Sequence, residues 1–83
     1  MRIFDVNFRP INKLQHDIMC VVGYWAKTEK TPIPRKEIMK QMGEQGVKSF
    51  TIVNAINSLI KKGYIRKSFV ISNKTYFTQL KSV

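Results

Sequence analysis

Four side chains recur at the spacing of one helix face. Phe50, Asn54, Asn57 and Lys61 stand at i, i+4, i+7 and i+11 within SFTIVNAINSLIKKGYI, residues 49–65. An Asn amide carries a donor and an acceptor together, the pattern that pairs with N6 and N7 of adenine, while an ammonium meets phosphate. Short polar residues also suit a helix that must slide into a groove. On the opposite side Ile52, Ile56, Leu59 and Ile60 form an apolar stripe at three- and four-residue spacing. Any amphipathic helix shows polar residues opposite its stripe, so this face acquires meaning only from the rest of the chain.

The elements that must hold that face can be read in turn. The spacing predicts a helix over 49–62, with Ser49 as N-cap. Lys61 and Lys62 lie in its negatively polarised last turn, and Gly63 terminates it. Residues 1–11 read as an N-terminal arm or short strand with alternating Phe4, Val6 and Phe8, closed by Pro10. Helix 1 is expected over 13–27, capped by Asn12, with Leu14, Ile18, Val21, Val22 and Trp25 as its stripe. The connector TEKTPIP follows, in which Pro34 pushes Ile33 toward extended geometry. Helix 2 is expected over 35–42 and ended by Gly43, with Ile38 and Met42 inward. In the GEQGVK connector Gly46 can supply a positive φ and Val47 plugs the core. YIRKSFVI and KTYFTQL, separated by Ser72 and Asn73, read as a β-hairpin over 64–80 with Lys67 and Lys74 near its tip.

The bulk numbers bound the function. Eighty-three residues make one domain, and a hydrophobic content of 43% is that of a globular chain. No apolar run is long enough to span a bilayer, and no membrane partner is expected. MRIFDVNFRP lacks the apolar core of a signal peptide, so a cytoplasmic protein is expected. The single cysteine, Cys20, has no companion for a disulfide or metal and reads as a buried structural thiol. His16 reads as solvent-facing. With no paired carboxylates, no Gly-rich phosphate loop and no His/Cys cluster, no enzyme, metal or cofactor is expected. Charge is the strongest signal. Fifteen Lys and Arg oppose five acids, a net +10, and no acid follows Glu44. A one-signed half of a small domain attracts polyanions, nucleic acid first, an anionic membrane second and an acidic protein third.

The order helix, helix, helix, hairpin, carried by these residues, resembles a winged helix-turn-helix domain. TIVNAINSLIKKGYI resembles the recognition-helix stretch of MarR-type regulators, in which Leu lies eight and Gly twelve residues after a Thr, as Leu59 and Gly63 do after Thr51. TPIPRKEIMKQMG is similar to the second helix of the SOS-response repressor's DNA-binding domain, and KKGYIRK to its helix-to-strand junction. The resemblance covers roughly Leu14 to Leu80. It implies an α+β, mainly α fold with three helices and a hairpin wing. It also implies a DNA-facing set of Lys48, Ser49, Phe50, Val53, Asn54 and Asn57, with the hairpin lysines Lys67 and Lys74 alongside; Lys61, near the C-terminal end of the helix, is expected to meet only the backbone. Phe50 would stack or meet a thymine methyl, or else pack on helix 2 as a loop aromatic. Two departures stand out: a connector over 43–49 about three residues longer than the usual tight turn, and Lys74 where the wing often carries Arg.

Sequence-specific binding of double-stranded DNA, as in a small transcription regulator, is therefore the leading expectation. A plasmid or viral replication-initiation protein would use the same contacts. A winged-helix module that docks a polymerase or replisome component is the reading from a different class. One such domain touches few base pairs, so a homodimer on a palindromic site is expected, with Phe4, Val6 and Phe8, alone or with the exposed side of helix 1, as its interface.

Overall fold

The computed structural model describes residues 11–81, so the arm expected over 1–11 and its apolar residues Phe4, Val6 and Phe8 lie, apart from Ile11, outside the described residues. In chain order the elements are α1 (Lys13–Glu29), β1 (Ile33–Pro34), α2 (Arg35–Glu44), α3 (Ser49–Lys61), β2 (Ile65–Ile71) and β3 (Lys74–Gln79). The architecture is α+β and mainly helical: three helices pack on a three-stranded antiparallel sheet of order β1-β3-β2.

Each helix begins and ends for a local reason. Asn12 opens α1 with a reciprocal capping box, its side chain accepting from the Gln15 amide while Gln15 Oε1 accepts from the Asn12 amide. The helix runs two residues past the expected end at Lys27 and stops where Lys30 turns left-handed, φ 58°. Both α2 and α3 end in the same motif. In α3, Gly63 (φ 83°) donates to Ile60 and Tyr64 donates to Leu59; in α2, Gly46 (φ 86°) donates to Gly43 and Val47 donates to Met42. That pairing explains a difference from expectation. The left-handed residue that stops α2 is Gly46 and not Gly43, so α2 continues through Gly43 to Glu44. The connector to α3 is correspondingly short, residues 45–48. Ser49 is likewise not the cap of α3: Lys48 holds the extended cap position without a side-chain bond, and Ser49 is the first helical residue.

The core is built where the stripes meet. Ile18 and Val22 of α1, Ile38 and Met42 of α2, and Ile52, Ile56 and Leu59 of α3 are all buried. Val21, Trp25, Val47 and Ile60 are half-buried against them. Cys20 is exposed, contrary to expectation, because it lies two residues beyond Ile18 and therefore nearly opposite it on the helix. Its Sγ sits 3.7 Å from Nδ1 of His16, one turn back on the same surface.

The sheet closes the third side. Ser72 (φ 51°) and Asn73 (φ 65°) form a two-residue turn of the type whose twist suits a hairpin. Ile71 pairs with Lys74 beside the turn, and a bulge interrupts the ladder between Lys67 and Phe69. At the bulge the Ser68 and Thr78 hydroxyls share a hydrogen bond. Lys67 pairs with Phe77 well down the strand, so of the two lysines expected near the tip only Lys74 is there. β1 has no counterpart in the sequence reading: two residues pair with β3, Ile33 opposite Phe77 and Pro34 opposite Tyr76.

One buried polar side chain ties the two ends of the helical layer. Gln15, 6% exposed, donates from Nε2 to Ser58 Oγ at 3.0 Å and accepts at Oε1 from Lys62 Nζ at 2.8 Å. Gln15→Ala removes that link and one half of the α1 capping box. It should cost about 1–3 kcal/mol, because buried partners are left to find new ones. A lowered urea midpoint with an unchanged m value is the expected record; an unchanged midpoint would show that the link contributes nothing.

Candidate nucleic-acid interface

The outer face of α3 presents what its spacing requires. Phe50, Asn54, Asn57 and Lys61 are all exposed, Phe50 to 66%, and lie opposite buried Ile52, Ile56 and Leu59. Phe50 belongs to the first turn of the helix, which removes the alternative of a loop aromatic packed on α2. Lys48 and Ser49 are exposed at the helix start. Neither a side-chain cap nor an acid occupies that first turn, so the positive end of the helix dipole stays open to an anion.

Val53 is set apart from this face. It is half-buried in the wall of a groove of about 410 Å³ whose other walls are Arg35, Lys36 and Met39 of α2 and Asn73, Lys74 and Thr75 at the hairpin tip. The groove thus joins α3, the start of α2 and the tip in one concave surface with three cations. Pro34 precedes the first residue of α2, which places Arg35 and Lys36 in its opening turn. Arg35, Lys36 and Asn73 were not among the residues singled out from sequence. The PRK triplet shows that two cations open a helix, but only the strand register brings the hairpin tip against them.

The remaining lysines spread the charge and do not converge. Lys61 is exposed in the last turn of α3, and Lys67 is exposed in mid-strand on β2 beside Arg66. No acid lies among residues 45–83 to offset them. The ion pair of Lys13 with Asp17, at 3.2 Å, belongs to the first turns of α1. Among the described residues no group of three or more His, Cys, Asp or Glu is placed to hold a metal ion. No described helix is long and apolar enough to cross a membrane.

This surface can do hydrogen bonding, stacking and charge neutralisation over an extended polyanion. The outer face of α3 offers two planar amides at adjacent turns and one exposed ring, and the groove beside Val53 offers three cations. A scan against protein-family models and searches of the curated proteins and of the solved structures find no match to this chain.

Proposed function

We propose that this protein is a winged helix-turn-helix domain that binds double-stranded DNA sequence-specifically, with α3 in the major groove and the β2–β3 hairpin on the backbone. The observation that carries the reading is the outer face of α3, with amides and Phe50 exposed on a half of the chain that has cations and no acid. A small transcription regulator is the simplest role. A replication-initiation protein would use the same surface. The exposure of Phe50 favours a second reading, a module that docks an acidic protein partner. Selection of bound sites from random duplex DNA separates the two: enrichment of one motif supports the proposal, and recovery of unenriched sequence sinks it. A two-fold symmetric motif would speak for a homodimer, a lone half-site for a monomer.

Reading and holding can then be told apart by substitution. Asn54→Ala should cost about 1–3 kcal/mol on the selected site and little on scrambled duplex, because it removes a base contact. Lys61→Ala should weaken both duplexes by a similar factor and reduce the salt slope by about one. Equal losses for Asn54→Ala on both duplexes would mean that α3 is not oriented as proposed.

A further inference from the structure

A cleft of about 380 Å³ opens between α1 and α2, with no residue of α3 or of the sheet in its walls. Val21 and the rings of Tyr24 and Trp25 supply its apolar part, and Glu29 and Glu37 bring one carboxylate from each helix. Its charge is opposite to that of the rest of the molecule. None of the fifteen Lys and Arg lines the cleft, which takes two of the five acids. Among the described residues neither Glu29 nor Glu37 is in an ion pair. Glu29 is the last residue of α1, where the helix macrodipole is negative and an acid is disfavoured. Glu37 is held in place, its Oε2 accepting from Gln41 Nε2 at 2.8 Å. Trp25 is held as well, its Nε1 donating to Thr31 Oγ1 at 3.4 Å.

We propose that this cleft binds a small organic cation, a protonated or quaternary amine with an apolar body. Aromatic faces attract cations, Trp most strongly, and the two unpaired carboxylates add full charges of the complementary sign. Val21 and the rest of the ring surface receive the apolar body. The volume falls in the range of small-ligand sites, about 300–1,000 Å³. Phosphates and anionic bilayers are repelled by the same carboxylates. A bare metal ion lacks a ligand set, because no group of three His, Cys, Asp or Glu among the described residues is placed to hold one. The cleft shares no residue with the outer face of α3 or with the basic groove, so the proposal stands apart from the DNA reading.

Trp25 is the one tryptophan of the chain, so its fluorescence reports on the cleft directly. The test is titration of the full chain with benzyltrimethylammonium, without nucleic acid and at constant ionic strength, which should change that fluorescence saturably. Neopentylbenzene, its uncharged analogue of the same shape, and the anion phenylacetate should bind at least roughly tenfold more weakly. Glu37→Gln keeps the size of the side chain and an acceptor for Gln41, and should weaken the cation roughly tenfold, as should Glu29→Gln. Glu44→Gln removes an equal charge outside the cleft and should leave binding unchanged, with all three variants sharing the circular dichroism spectrum of wild type. The three probes decide on wild type alone, whatever the stability of the variants. No saturable change with the cation, or equal binding of the cation and its uncharged analogue, overturns the proposal. An equal loss in Glu44→Gln and Glu37→Gln overturns it too, in favour of diffuse attraction to the whole surface.

Discussion

Raising salt from about 50 to about 200 mM should cut the affinity of this protein for duplex DNA by roughly 60- to 4,000-fold, on a slope of about −0.9 per phosphate neutralised. The range follows from a log–log slope of roughly −3 to −6, the value for a handful of lysine–phosphate contacts. Lys48, Lys61, Lys67 and Lys74 are exposed to make them, and Arg35 and Lys36 add two cations at the groove. The measurement is equilibrium binding to one duplex across a salt series, by anisotropy. Affinity that holds steady across the series would remove the electrostatic basis of the DNA reading. A steep slope with no site preference would keep the contact but reduce the protein to a non-specific binder.

Leu59→Ala should be the most damaging single substitution among those considered. Leu59 is fully buried between the helices, and its carbonyl accepts the Tyr64 amide in the turn that sends α3 into β2. Truncation removes the transfer free energy of the side chain and leaves a cavity, about 2–5 kcal/mol together. Against a total of about 5–15 kcal/mol for small domains that is a large share. For a domain of this size it corresponds to a fall of roughly 8–40 °C in Tm. Ile60→Ala, one residue on and only half-buried, should cost clearly less. Thermal melts of the two variants side by side decide the matter. Equal losses would mean that the burial of α3 differs from that described.

What was legible in the sequence was what repeats or punctuates. Ile52, Ile56 and Leu59 mark a helix face by their period, and Ser72–Asn73 marks a turn by its tolerance of positive φ. Features decided by partners far along the chain were not legible. Ile33–Pro34 is too short to show any period and is a strand only because Phe77 and Tyr76 lie opposite. Gln15 reads as a surface residue until Ser58 and Lys62, more than forty residues later, come within reach. Gly43 and Gly46 are equally good stops on paper, and Val47 at a position to pack on the core decides for the second. The candidate interface divides the same way. The face of Phe50, Asn54, Asn57 and Lys61 follows from helix geometry alone, whereas the groove of Arg35, Lys36, Val53 and Lys74 exists only through the placing of the tip against α2. Residue types alone do not place Lys67, because the length of β2 and its bulge set its distance to the turn.

The two residues of β1 have a mechanical consequence. A lone two-stranded hairpin is marginally stable at best in water. Here the central strand β3 is pegged on its far side by Ile33 and Pro34, which lead directly into α2, with Ile33 almost completely buried. The hairpin and the helices are thereby tied into one unit, with the gap of Arg35, Lys36, Val53 and Lys74 between them. If DNA is the partner, little ordering entropy is lost on closing, and a groove too wide or too narrow for the gap is rejected without a single base being touched.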